Sequence, residues 1–156
     1  MRTYAPTGDT PVLRELCTRD HLSTISAISP DGKCYFQVQD EAFNSAGVVR
    51  FLTHLLRVVP GRIVIIWDGA PIHRSAEVKA FLGAGAAGRV HLERLPGYAP
   101  DLNPDEGVWA YLKNVELRNF CAPNLDVLRD ELKKAIKRVR SKPDVIRGCF
   151  TAAGVL

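Results

Sequence analysis

The chain has 156 residues, of which 46% are hydrophobic and 24% charged, a composition typical of one globular domain with a buried core. No apolar run approaches the roughly 20 residues that span a bilayer, and the polar N-terminus does not resemble a signal peptide, so we expect a cytoplasmic protein without membrane contact. The net charge of +4 is compatible with a polyanionic partner, and the four scattered cysteines argue against a structural zinc site.

The N-terminal part of the chain predicts a loop followed by a β-hairpin. Residues 1–10 are rich in Pro, Gly and Thr, and residues 12–17 fit either a short strand or an irregular segment. Residues 22–29 and 34–39 predict two strands. The sequence between them, Pro30-Asp31-Gly32-Lys33, favours the tight turn of a hairpin.

A helix and a buried strand follow the hairpin. Asn44 or Ser45 can cap a helix whose apolar residues recur at i, i+3 and i+4 spacing and which ends at Pro60-Gly61. The next segment, Ile63 to Trp67, is apolar throughout, β-branched and too short for a helix. It therefore predicts a strand buried on both faces, with Asp68 directly at its C-terminal end.

The rest of the chain continues the alternation of helices and strands. We predict a turn at residues 68–71, a helix from Ser75 to Leu82, a loop over 83–88, a strand over 90–95, a helix from Asn103, and a last long helix from Asn124 or Asp126 to about Arg140. This order predicts a single mixed α/β domain over residues 1–156.

Two acids stand at positions that can converge. Asp68 follows a strand, and Glu106 lies in the first turn of the helix that Asn103 and Pro104 begin. Since α/β sheets collect ligands outside the carboxyl ends of their strands, both carboxylates can face one crevice. Converging carboxylates suggest a site for a divalent metal ion.

The segments around these acids resemble a known family. WDGAPIH (67–73) and LPGYAPDLNPDEGVWAYLK (95–113) resemble the second and third acidic motifs of the DDE transposases of the mariner superfamily, particularly the bacterial insertion-sequence branch. The resemblance extends over nearly the whole chain, because RTYAPTGDTPVLR, SAISPDGKCYFQV and a helix containing FLTHLL occur in the family's order. It implies an RNase H-like fold, a mixed sheet flanked by helices.

The resemblance also implies what the chain lacks. The family's first strand, which carries the first catalytic aspartate, lies upstream of the segment that aligns with residues 2–14, as does its helix-turn-helix domain. We therefore expect a gap in the sheet beside Ile63 to Trp67, to be filled by residues 12–17 or by the N-terminal part of a partner polypeptide. A second copy of the chain or an upstream transposase fragment is the expected protein partner.

The family's activity gives the two acids their expected roles. The resemblance implies that Asp68 and Glu106 are catalytic and hold Mg²⁺ or Mn²⁺ for the cleavage of double-stranded DNA at transposon ends and for strand transfer into target DNA. Two such ions, about 4 Å apart, can align the attacking and leaving oxygens of a phosphodiester. With one acid of three missing, the chain alone is expected to be a poor or inactive nuclease, and a non-catalytic DNA-binding or transposase-partner module is the alternative.

The acids also have purely structural interpretations. Asp68 before Gly69 can make an Asx-turn, and Glu106 can close a capping box with Asn103. These roles do not exclude metal binding. The neighbouring acids, Asp101 and Asp105, are assigned to the loop and to first-turn capping.

Five basic residues are candidates for contact with DNA. His73 lies in the turn after Asp68, and Lys113 lies two helical turns after Glu106, where each is either a phosphate contact or an ordinary surface residue. Lys134, Lys137 and Arg138 belong to a dense basic stretch of the last long helix that can neutralise phosphates or form a solvated face. We expect Trp109 to pack in the core beneath the site.

Overall fold

The computed structural model describes residues 21–97 and 99–155. Strands and helices alternate through most of this part of the chain. In chain order they are β1 (Ser23–Ile28), β2 (Cys34–Gln39), α1 (Ser45–Val58), β3 (Ile63–Trp67), α2 (Ala76–Gly83), β4 (Val90–Arg94), α3 (Pro104–Tyr111), a π-helical turn (Leu112–Glu116), α4 (Leu125–Arg140) and α5 (Pro143–Ala152). Short 3-10 turns lie at Pro71–Arg74, Ala86–Gly88 and Pro100–Leu102.

The described strands form two separate sheets. β1 and β2 are antiparallel, with Ser26 opposite Phe36, whereas β3 and β4 are parallel, with Trp67 opposite Arg94. The mixed α/β class predicted from the sequence is confirmed. In the described residues no strand joins β1 to β3, and the segment that we expected beside β3, residues 12–17, lies outside them.

Local sequence signals position the helix starts as predicted. The side chains of Asn44, Asn103 and Asn124 each accept a hydrogen bond from a backbone N–H of the first turn of α1, α3 and α4, at 2.9, 3.2 and 2.9 Å. The hairpin turn is also confirmed, with Gly32 at φ 87°. A Cβ at that position would lie 2.7 Å from the Cβ of Pro143, so the turn requires glycine both for its backbone and for its contact with α5.

The larger hydrophobic core lies between the β1–β2 hairpin and the three C-terminal helices. Val108, Leu112, Val139 and Ile146 have no exposed surface, and Phe36 and Trp109 pack against them. Leu132, Ile136 and Val139 form the buried face of α4, as the helical spacing predicts. This core holds α3, and with it Glu106.

The smaller core lies between β3, β4 and the helices α1 and α2. Its buried centre consists of Val48, Leu52 and Val78, which pack against Ile65 and Trp67 of β3. The prediction that β3 is buried on both faces is wrong, because Val64 and Ile66 are 65% and 57% exposed. Only the Ile65 face packs against helices, and no described element covers the alternate face.

Two C-terminal elements were not predicted. Helix α5 begins at Pro143, a residue favoured at the first helical position, and buries Ile146 and Phe150. The π-helical turn interrupts the helix predicted to run from Glu106 through Lys113. No helix in the described parts of the chain is long and apolar enough to cross a membrane.

Candidate active site

Asp68 lies at the C-terminal end of β3 with its carboxylate largely in solvent. Its side chain is 67% exposed, and its Oδ1 accepts a hydrogen bond from the backbone N–H of Ala70 at 2.9 Å. The Asx-turn interpretation is therefore confirmed. Oδ2 makes no hydrogen bond within the described residues, so the turn leaves one carboxylate oxygen open to a ligand.

His73 contacts Asp68 and the strand that carries it. Its Nδ1 lies 3.1 Å from Oδ1 of Asp68 and 3.4 Å from the Asp68 carbonyl oxygen. The imidazole stacks on Trp67, with ring centroids 4.3 Å apart, and the His73 side chain is only 13% exposed. This placement orients the Asp68 carboxylate, while contact of His73 with DNA stays a prediction.

Glu106 lies in the first turn of α3 with its side chain exposed. Its carboxylate makes no hydrogen bond or ion pair with the described residues. The capping-box interpretation finds no support, because the Asn103 backbone N–H donates to the carbonyl of Pro100 at 2.9 Å instead. Glu106 therefore presents both carboxylate oxygens to solvent, as a metal ligand requires.

Asp105 anchors the helix that carries Glu106. It lies in the first turn as predicted, yet its Oδ2 accepts hydrogen bonds from Ser26 Oγ at 2.6 Å and from Trp109 Nε1 at 3.1 Å rather than capping the helix. Trp109 Nε1 also donates to Ser26 Oγ at 2.9 Å. Asp105 Oδ1 is buried and has no partner among the described residues. Burial raises the pKa of this carboxyl group, against the opposing effect of its hydrogen bonds.

The network of Ser26, Asp105 and Trp109 could not be predicted from the sequence. Ser26 is 79 residues from Asp105 and 83 from Trp109, so no local pattern links them. The core position of Trp109 was predicted correctly, and its ring meets Phe36 edge to face at 5.6 Å. The network ties the start of α3 to β1 and thereby fixes the backbone of Glu106.

The two candidate acids have the chemistry of ligands for a divalent metal ion, but two carboxylates are fewer than a metal site needs. Both offer exposed carboxylate oxygens, the ligands that Mg²⁺ and Mn²⁺ prefer. They lie on different parts of the fold, Asp68 on the β3–β4 sheet and Glu106 on the helix packed against β1. Within residues 21–97 and 99–155, no group of three or more His, Cys, Asp or Glu residues could hold a metal ion. The described residues thus bring no set of three such side chains together around either candidate acid.

Lys113 lies in the π-helical turn rather than on the same α-helical face as Glu106. Its Nζ is 5.8 Å from the centroid of the Trp109 ring, at the distance of a cation–π contact. The side chain is exposed, so the ammonium group remains accessible to an anion. Contact of Lys113 with DNA stays a prediction.

The basic residues of α4 differ in how far they are already paired. Lys134 lies 3.3 Å from Glu131, and Arg138 contacts Glu116 at 2.6 Å and Glu131 at 3.1 Å. Lys137 is exposed and makes no ion pair within the described residues. Of the three predicted DNA contacts in α4, Lys137 is therefore the one whose charge is not shared with a described carboxylate.

Glu116, the last residue of the π-helical turn, contacts α4 and the residue that precedes α5. Its side chain is 6% exposed and lies 2.6 Å from Arg138 Nε and 2.7 Å from Lys142 Nζ. Lys142 also donates to the Tyr111 hydroxyl at 3.0 Å. The hydrogen bonds from Lys142 and Arg138 hold the pKa of Glu116 below its usual range. Arg138 thus has a structural role that the sequence pattern did not show.

The fold is that of RNase H-like catalytic domains, as comparison with solved structures shows. The chain is similar to the Mos1 transposase paired-end complex with left transposon end, at 18% identity and a TM-score of 0.66, covering 99% of this chain and 50% of that one. It is similar to the Mos1 mariner paired end complex with Mn at 19% identity, a TM-score of 0.63 and coverages of 99% and 51%. The isolated catalytic domain of Mos1 mariner transposase matches at 17% identity and a TM-score of 0.54, over 85% of this chain and 81% of that domain.

The family is shown by the sequence itself. Residues 1–129 match the model of the DDE superfamily endonucleases, and the chain belongs to this family. The chain spans about half the length of the transposase chains in the two paired-end complexes. A comparison with the curated proteins found no match.

Proposed function

We propose that the chain acts in DNA transposition as part of the catalytic domain of a mariner-type transposase. The proposed reaction is cleavage of phosphodiesters at transposon ends and transfer of the freed strand to target DNA. The observation that carries the proposal is the pair of exposed carboxylates, Asp68 and Glu106, which pair with no Lys or Arg of the described residues and lie within the two acidic motifs of a DDE endonuclease. The Mn-containing complex of a chain with the same fold supports a divalent metal.

Asp68 and Glu106 are proposed as ligands of Mg²⁺ or Mn²⁺. Such an ion, when bound, neutralises charge on the phosphate and activates the attacking oxygen. The chain's own residues orient these ligands: His73 and the Ala70 N–H hold Oδ1 of Asp68, and Asp105 holds the first turn of α3. A further carboxylate from outside the described residues completes the set in this proposal.

Cleavage of supercoiled plasmid tests the proposal. The purified chain is incubated with Mg²⁺ or Mn²⁺, beside the variants Asp68→Asn and Glu106→Gln, and nicked circles are quantified on a gel. Asp101→Asn is the matched control, since Asp101 is an exposed acid on the loop before α3. Because one acid of the set is missing from the described residues, we expect only weak nicking, which both ligand variants lose and the control retains. Nicking by Asp68→Asn equal to that of the unaltered chain would overturn the metal-ligand assignment.

A non-catalytic DNA-binding module is the second candidate. It is favoured by one observation, that the described residues bring no third acid to Asp68 or Glu106. This function predicts that the folded chain retains DNA in EDTA, that Asp68→Asn does not change this retention, and that no divalent ion produces nicking. Metal-dependent nicking that Glu106→Gln abolishes would exclude it.

A further inference from the structure

Arg94 lies at the same edge of the sheet as Asp68. β3 and β4 are parallel, and Arg94, the last residue of β4, is paired in register with Trp67, the residue before Asp68. The carboxyl ends of both strands therefore open on one edge, where ligands of α/β folds collect.

The guanidinium group of Arg94 packs directly against Gly69. A Cβ at Gly69 would lie 2.6 Å from Nη2 and 2.7 Å from Nε of Arg94, closer than any real Cβ contact. Only glycine can therefore follow Asp68 while Arg94 keeps this position. Arg74 contacts the same residue, with its Nη2 donating to the Gly69 carbonyl oxygen at 3.4 Å. Two cationic side chains thus border the turn that begins with Asp68.

The charge of Arg94 is not neutralised within the described residues. The side chain is exposed and makes no ion pair with a described carboxylate. Some other arginines of the chain are engaged, since Arg89 donates to three backbone carbonyls at 2.8 to 2.9 Å and Arg138 is paired with Glu116. The Arg94 guanidinium packs against a glycine, is exposed and has no described carboxylate partner, so it is available to bind an anion.

We propose that Arg94, held against Gly69, binds a DNA backbone phosphate beside Asp68. A guanidinium group binds phosphate through two parallel N–H donors, which gives the contact a direction as well as a charge. This contact places the phosphodiester next to the carboxylate of the proposed metal site. The inference rests on the proposed function for the identity of its ligand, and Arg74 supplies additional positive potential at the same edge.

Fluorescence anisotropy of a fluorescein-labelled DNA duplex, titrated in EDTA at several salt concentrations, tests the inference. We expect Arg94→Ala to weaken binding about tenfold, as the loss of one charged hydrogen-bonded contact would. The slope of log K against log salt should become shallower by about one unit, the contribution of one phosphate contact. Arg94→Lys keeps the charge and should keep the slope, with part of the affinity lost. The matched control is Arg62→Ala, an exposed arginine at the opposite end of β3, which should change neither quantity.

Gly69→Ala tests the geometry without removing the charge. A methyl group there displaces the guanidinium from this position, so this variant should bind the duplex more weakly than the unaltered chain, though by less than Arg94→Ala does, while its circular dichroism spectrum stays unchanged. Equal affinity and salt slope for Arg94→Ala and Arg62→Ala, or a folded chain that binds no duplex, would overturn the inference.

The two proposals fail in different ways. Because the titration contains no divalent ion, it does not depend on cleavage. Binding that depends on Arg94, without nicking under any metal, would keep this phosphate site and favour the non-catalytic DNA-binding module. Nicking by a chain whose binding is insensitive to Arg94 would keep the function and reject the site.

Discussion

Asp68 and Glu106 are held in place by different means. Glu106 lies on a helix whose inner residue, Val108, is fully buried and whose first turn is bonded through Asp105 to a strand far away in sequence. The contacts of the Asp68 side chain, with Ala70 and His73, come from within five residues of it. One acid is fixed by long-range packing and the other by a local turn. Substitutions in the larger core should therefore displace Glu106 more than Asp68.

The largest effect should follow truncation of the core beneath Glu106. Leu112→Ala removes a side chain with no exposed surface from the larger core, and we expect the free energy of unfolding to fall by about 2–5 kcal/mol in urea titrations. The matched control is Leu102→Ala, because Leu102 is 46% exposed and should change stability by less than about 0.5 kcal/mol. Equal losses in the two variants would mean that α3 is not anchored as described.

The next effect concerns the polar anchor of α3. Asp105→Ala leaves the Trp109 N–H and the Ser26 hydroxyl without their shared acceptor, and we expect a loss of about 1–3 kcal/mol, measured by the same titration. Asp101→Ala removes a nearby acid with an exposed side chain and should be neutral. A stability of Asp105→Ala equal to that of Asp101→Ala would show that the network does not hold the helix.

A smaller effect, dependent on pH, is expected at Glu116. Its folded pKa is depressed by Lys142 and Arg138, so its stabilising contribution is present above the unfolded pKa of about 4.3 and is lost as the pH falls through the folded pKa. Glu116→Gln should lower Tm by about 2 °C at neutral pH, the size expected when the cationic partners are partly exposed. Thermal melts at low pH should show no difference, and a difference that persists there would contradict the ion-pair explanation.

The smallest effect on stability is expected on the Asp68 side. His73→Phe keeps an aromatic ring to stack on Trp67 and removes the contacts of Nδ1 with the carboxylate and the carbonyl oxygen of Asp68. We expect the unfolding free energy to change by less than about 0.5 kcal/mol, while plasmid nicking slows several-fold because Asp68 is less well oriented. Unchanged nicking would show that His73 does not position Asp68.

The features that could be predicted from the sequence are those that depend on contacts between neighbouring residues. The three asparagine caps, the Pro-Asp-Gly turn of the hairpin and the Asx-turn at Asp68 all depend on residues within four positions, and all were confirmed. The exposure of Val64 and Ile66 and the bonding of Asp105 to Ser26 depend on which distant elements meet, so no local pattern could show them. The roles of Asp68 and Glu106 as metal ligands stay predictions.

Asp68 and Glu106, carried by different parts of the fold, are proposed to hold the same metal ion. Isothermal titration calorimetry with Mn²⁺ on the unaltered chain, on Asp68→Asn, on Glu106→Gln and on the double variant tests this proposal directly. We predict that each single substitution weakens Mn²⁺ binding about tenfold or more and that the two losses are not additive in the double variant, because both side chains bind one ion. Unchanged Mn²⁺ binding in either single variant, or losses that simply add, would contradict a shared site.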